Sequence, residues 1–145
     1  MLRFVVIGCG SLALNVVPAI RPDRAVITAF IDETPQGRLA GEEFLGAPVV
    51  KSFPSGDGWY DYILVACRPA ENICCRLSVN HGVPLIKFVP LDFEQLLPKT
   101  KKPFHKRDVL RFLISSTLQR YTGLADAFDM EILLRSPWLT LVSEK

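Results

Sequence analysis

The chain has 145 residues, 49% of them hydrophobic and 22% charged, with a formal net charge of only +2. That length and balance predict one globular domain with a real hydrophobic core and exclude a disordered chain. The apolar runs stop well short of the roughly 20 residues of a membrane span, the start lacks the layout of a secretory leader, and the small net charge argues against nucleic acid; the expected setting is cytoplasmic.

Residues 3–7 read as a first strand running directly into Gly8. Residues 11–20 follow as a helix with Leu12, Val16 and Ile20 on one face, although Pro18 should kink or shorten it. Residues 25–31 make the second strand, ending at Asp32. Residues 36–45 read as a weak helix or irregular crossover, diluted by Gly37 and Gly41. Residues 48–51 form a short third strand. A fourth covers 62–67, where Ile63-Leu64-Val65-Ala66 is apolar on both faces, as in the middle of a parallel sheet. Residues 70–80 are a helix with Ile73, Cys74 and Leu77 inward and Gly82 as its stop, and 85–89 the fifth strand. Strands separated by helix-length crossovers predict an α/β fold, a parallel sheet with helices on both faces, over residues 1–98.

The character then changes. Lys99, Lys101, Lys102, His105, Lys106 and Arg107 crowd into residues 99–107, which read as a basic linker or as a phosphate-, nucleic-acid- or partner-binding patch. Asp108 caps a helix whose Val109, Leu110, Phe112, Leu113, Ile114, Leu118 and Tyr121 make a wide apolar face. Gly123 breaks it, 125–134 reads as a second helix, and 138–142 as a strand. Residues 108–145 are thus a helical appendix too short to stand alone. It is expected to pack on the sheet domain or on a neighbouring subunit, as a homodimer or with a partner protein.

Gly8-Cys9-Gly10-Ser11-Leu12-Ala13 sits between the first strand and the first helix with G-x-G-x-x-A spacing, a Rossmann-type βαβ signature. Gly8 makes the turn out of the strand, Gly10 lets a pyrophosphate approach the backbone, and Ala13 lets the helix sit close on the sheet. The helix N-terminus then faces the phosphates. Asp32, twenty-two residues after Gly10, closes the second strand where an acid can hold both hydroxyls of a ribose. The same acid repels a 2′-phosphate, which favours NAD over NADP; Arg38 is the nearest cation that could reverse this. The alternative is that the glycines serve only the turn.

Arg68 follows the fourth strand, where it could reach a bound nucleotide or sugar, or could equally be a solvated loop residue. Cys9 and Cys67 would meet at the carboxyl edge if the strands take the order 3-2-1-4-5. They read either as a redox pair or, more commonly for thiols, as small buried hydrophobes. The four cysteines form no C-x-x-C and no metal-binding set with the two histidines, so no metal site is expected. There is also no Tyr-x-x-x-Lys pair, no G-x-S-x-G elbow and no G-x-x-x-x-G-K-[S/T] loop. A binding module fits better than a self-sufficient enzyme.

Phe4–Ala13, Ala29-Phe30-Ile31-Asp32-Glu33, Phe44–Val50, Tyr60–Ala66 and the stretch from Gly82-Val83-Pro84 through Phe88-Val89-Pro90 run in a characteristic succession. This succession resembles the CoA-binding-like domain that precedes the catalytic part of bacterial sugar-nucleotide dehydratases and epimerases. It is also similar to the amino-terminal half of sugar acetyltransferases and to the NAD(H)-sensing half of Rex-type repressors, and more distantly to the potassium-channel regulatory domain. The resemblance covers about two-thirds of the chain and implies a Rossmann-like fold. It also implies ligand binding at Gly8, Gly10, Ser11 and Asp32, with the Arg68 loop nearby. The candidate binding set is Gly8, Cys9, Gly10, Ser11, Leu12, Asp32 and Arg68. The leading expectation is a binding or regulatory domain for a dinucleotide or nucleotide-sugar, NAD(H) first and CoA next, without chemistry of its own. Two alternatives stay open: an NAD-dependent oxidoreductase or sugar-nucleotide enzyme completed by another subunit, and an interaction protein whose crevice is vestigial. A methyltransferase is a weaker variant of the first, because Val5-Val6-Ile7 before the loop carries no acid.

Overall fold

The computed structural model describes residues 1–32, 41–53, 59–67, 70–93 and 106–135. Their frame is a sheet of six strands, mostly parallel: β1 (Leu2–Ile7), β2 (Ala25–Ile31), β3 (Glu43–Phe44), β4 (Ala47–Val50), β5 (Tyr62–Val65) and β6 (Phe88–Pro90). The order is β3-β4-β2-β1-β5-β6. All neighbours are parallel except the β3–β4 hairpin at one edge. With that hairpin strand set aside, the parallel strands follow the order 3-2-1-4-5. The chain therefore winds outward from β1 in one direction and then from β5 in the other.

The central strands alternate between two buried faces, which is why Phe4–Ile7 of β1 and the whole of β5 read as unbroken apolar runs. Phe4, Val6, Phe30, Leu64 and Val89 point to one core, and Val5, Ile7, Ile31, Ile63, Val65 and Phe88 to the other. Helix α1 (Ser11–Val16) covers the first face through Ala13 and Val16, and α2 (Ala70–His81) covers the second through Ala70, Cys74 and Leu77. Gly82, at φ +66°, takes the left-handed conformation that ends α2. Thr28 is an extra residue in β2 where the register with β1 shifts, and its hydroxyl lies within hydrogen-bond reach of the Phe4 and Trp59 carbonyls.

The wide apolar stripe of α3 (Lys106–Leu118) is used inside the chain. Leu110, Ile114 and Leu118 join the core on the α1 side, leaving Phe112 as a large apolar side chain at 69% exposure. Tyr121, expected on that helix, lies past its end, but its hydroxyl donates to the Phe88 carbonyl at 2.8 Å and its ring meets Tyr62 edge-on. Helix α3 begins at Lys106, so Lys106 and Arg107 belong to it and not to a linker, and Asp108 sits in its first turn instead of capping it. Residues 99–105 and the strand expected over 138–142 lie outside the described residues.

Three further elements differ in extent from the ranges expected, the first in the way Pro18 implied. Helix α1 stops at Val16, and Pro18 sits in a 3-10 turn, Val17–Ala19, because a proline ring displaces the carbonyl one turn back. In the described part of the 36–45 crossover, residues 41–45, the helix alternative fails: Glu43–Phe44 form the hairpin strand β3 between turn residues; residues 36–40 lie outside the described residues. The helix expected over 125–134 divides into a 3-10 turn (Ala125–Ala127) and α4 (Met130–Leu133). Asp129 starts the second piece, its carboxylate accepting from the Glu131 and Ile132 amides. Between the two pieces Phe128 is extended, pairs with Ile20 and stacks on Phe4. No helix among the described residues is long and apolar enough to cross a membrane.

Candidate functional site

The carboxyl ends of β1, β2, β4, β5 and β6 lie along one edge of the sheet, because all five run parallel. The order reverses between β1 and β5, and in open α/β sheets such a reversal splays the connecting loops apart and leaves a crevice. Gly8 through Ser11 follow β1 there, Asp32 follows β2, Lys51 follows β4, and Ala66 and Cys67 follow β5. Backbone bonds fix these segments. The Gly8 amide donates to the Ile31 carbonyl at 2.9 Å, the Asp32 amide to Val50 at 3.0 Å, and the Ala66 amide to Ile7 at 2.8 Å.

The two glycines differ physically. Gly8 has φ +106°, and a Cβ there would lie 2.7 Å from the Ala66 carbonyl oxygen and 3.4 Å from Cys67 Cβ. Its lack of a side chain is demanded by the fold. Gly10 has φ −99°, and among the described residues a Cβ on it would meet nothing within 4 Å. Its bareness is not demanded by any described protein atom, so among the described residues the backbone there is open.

Gly10 is also the N-cap of α1, and its carbonyl accepts from the Leu14 amide at 3.1 Å. No described side chain caps this end of the helix. Because α1 has only six residues, its dipole is smaller than that of a full-length helix. Ser11 is exposed beside it. Leu12 is partly buried and packs against the core on the α1 side.

Asp32 is half-buried. Burial pushes the neighbouring Cys9 thiol up to about 11, and the Asp32 carboxylate adds to the effect by disfavouring a second negative charge. The glycine turn and the acid are therefore electrostatic neighbours, as their spacing in sequence implied. Cys9 stays protonated at neutral pH and is no thiolate nucleophile. Arg68 lies outside the described residues.

Asp92 was not singled out from the sequence. It stands at the end of β6 on the same edge and is 5% exposed, the lone charged side chain this buried among the described residues. The available signal was an acid set between Leu91 and Phe93, since a charge inside an apolar run is costly and rarely incidental. Among the described residues no three His, Cys, Asp or Glu side chains converge as a metal site. Comparison with protein-family models, with curated proteins and with solved structures returns no match for this chain.

Proposed function

We propose that this chain is a Rossmann-like binding or regulatory domain that holds a nucleotide ligand, NAD(H) before nucleotide-sugars or CoA, at the carboxyl edge between β1 and β5. The observation that carries the reading is a juxtaposition. The Gly8–Gly10 turn and Asp32 end adjacent parallel strands beside the order reversal, with open space over Gly10. In this reading the pyrophosphate lies over Gly10 and the Ser11 amide. The Asp32 carboxylate accepts from both hydroxyls of the adenosine ribose, and a 2′-phosphate is repelled by that charge. The short α1 shifts the work of phosphate binding from the helix dipole to individual amides. Among the described residues no acid–base pair stands beside the proposed ligand position, and the reading proposed is of binding rather than turnover.

The test is a thermal-shift panel of NAD⁺, NADH, NADP⁺, CoA and UDP-sugars. A ligand present at 100 times its Kd adds about 2.7 kcal/mol, which at roughly 2–4 °C per kcal/mol for a chain of this size is a rise of about 5–10 °C. NAD⁺ or NADH is expected to give the largest shift. If no nucleotide moves the melting temperature at millimolar concentration, the proposal fails. The six-residue α1 favours a second reading, an interaction domain with a vestigial crevice, and that same null result would support it.

A further inference from the structure

The chain leaves α1 through the 3-10 turn Val17–Ala19 and is clasped there by its own C-terminal part. The Asp129 amide donates to the Ala19 carbonyl at 2.7 Å and the Arg21 amide to the Ala127 carbonyl at 2.8 Å. Between these two bonds Ile20 and Phe128 face each other as an antiparallel pair. Phe128 also stacks on Phe4 of β1, and Asp129 caps α4. Helix α4 is in turn fastened to α3. The Arg111 and Arg107 guanidiniums donate to the Glu131 carboxylate at 2.7 and 3.3 Å, and Arg107 donates to the Leu134 carbonyl at 3.0 Å.

The opposite end of α1 is Gly10, in the turn that follows β1. Six residues of α-helix and three of 3-10 helix separate that turn from the clasp, roughly 15 Å at their usual rises of about 1.5 and 2.0 Å per residue. Ala13, Val16 and Ala19 along this piece are fully buried in the core on that side of the sheet. Close-packed interiors transmit a displacement instead of absorbing it. Pro18 has no amide to donate, so the seat of the far end depends on the clasp as well as on packing.

We propose that α1 and its 3-10 turn act as a lever between the crevice and the clasp: tightening the Gly8–Gly10 turn tightens the seating of α4 and α3, and loosening the clasp opens the turn. The coupling is a property of the fold; its use, reporting an occupied crevice to the C-terminal helices, rests on the binding reading proposed above. Such a coupling is reciprocal by linkage. Cys9 is a native reporter of it, because it lies inside the turn, is half-buried, and is held protonated by that burial. Its alkylation therefore follows the fraction of time the turn is open.

The experiment measures the rate at which iodoacetamide alkylates Cys9 in the full chain, with mass spectrometry resolving it from Cys67, Cys74 and Cys75. The clasp variants Phe128→Leu and Asp129→Ala are compared with Leu77→Val, a change in the core under α2, each in urea adjusted to equal global stability. Asp129→Ala keeps the clasp amide and removes only the cap of α4, so it serves if Phe128→Leu does not fold. Cys9 is expected to react about 5-fold faster or more in the clasp variants than in Leu77→Val. Equal rates overturn the lever. Where NAD⁺ raises the melting temperature, hydrogen exchange at the Arg21 and Asp129 amides is expected to slow, and exchange unchanged by bound NAD⁺ overturns the reporting role. If no nucleotide binds, the ligand reading fails while the alkylation rates still decide the lever.

Discussion

Replacing Gly8 with alanine and, separately, Gly10 with alanine tests how the glycine turn divides its work. At Gly8 the new Cβ would sit 2.7 Å from the Ala66 oxygen and 3.1 Å from its carbon, both backbone atoms. Ala66 cannot retreat freely, since its amide holds the Ile7 carbonyl at 2.8 Å and so carries the β1–β5 ladder. The positive φ adds roughly 1–3 kcal/mol for a residue with a side chain, and overpacking against a fixed wall adds about 1–3 kcal/mol. Together they destabilise by about 2–6 kcal/mol, or roughly 4–24 °C in melting temperature. At Gly10 neither term exists. The small loss of helix-capping preference opposes a gain from a stiffer unfolded chain, so Gly10→Ala should stay within about 1 kcal/mol of wild type. Its effect should fall on the ligand, because a methyl group would occupy the space assigned to the pyrophosphate. Urea unfolding at constant m-value, followed by far-UV circular dichroism, reads both. A Gly8→Ala protein within 0.5 kcal/mol of wild type would refute the packing argument. A Gly10→Ala protein as unstable as the Gly8 variant would refute the assignment of open space.

Leu45 holds φ +49° in the β3–β4 turn, at 48% exposure, so Leu45→Asn should stabilise by up to about 1 kcal/mol by removing that strain; an unchanged urea midpoint would contradict it. Ile114→Ala should destabilise by about 2–5 kcal/mol because Ile114 is fully buried in the shared core, while Phe112→Ala on the same helix should lie within about 0.5 kcal/mol of wild type. Equal effects in calorimetry would mean that α3 is not seated on the sheet as described. Asp61 is held below its ordinary value, first by the Arg3 side chain, and its carboxylate also accepts from the Arg3 amide at 2.7 Å. Because the folded-state value is lowered, the stabilisation is present above the unfolded value near 3.9 and is lost as pH falls through the folded one. The stability gap between wild type and Asp61→Asn should therefore close on acidification below about pH 4, and a gap constant from neutral pH to pH 3 would contradict the ion pair.

The parallel strands were legible because burial on both faces leaves apolar runs that local turns cannot imitate; residues 25–31 match β2 throughout. The glycine turn and Asp32 were legible because their spacing is fixed by one strand–helix–strand passage. Other elements depended on contacts that sequence does not display. Leu85 and Ile86 read as strand, yet Pro84 leads into a 3-10 turn that leaves both exposed, and β6 begins only at Phe88. The β3–β4 hairpin was hidden because leucine seldom adopts the positive φ that a two-residue turn needs, so Leu45-Gly46 carries half the usual signal. Asp129 was a readable cap, but the apolar pattern around it continues through the break at Phe128, which is held open by pairing with Ile20 and stacking on Phe4. Asp92 escaped attention because its one local signal, an acid between Leu91 and Phe93, does not by itself separate a buried acid from a surface one.

The most direct measurement of the central claim is isothermal titration calorimetry of NAD⁺ and NADP⁺ into the wild-type chain and into Asp32→Ala. The account predicts that wild type binds NAD⁺ more tightly than NADP⁺. Removing the carboxylate should weaken NAD⁺ by about 10-fold or more, as expected for lost hydrogen bonds to a charged group, and should erase the preference between the two. Equal NAD⁺ affinity in wild type and Asp32→Ala, or no binding heat from any nucleotide at millimolar concentration, would contradict it.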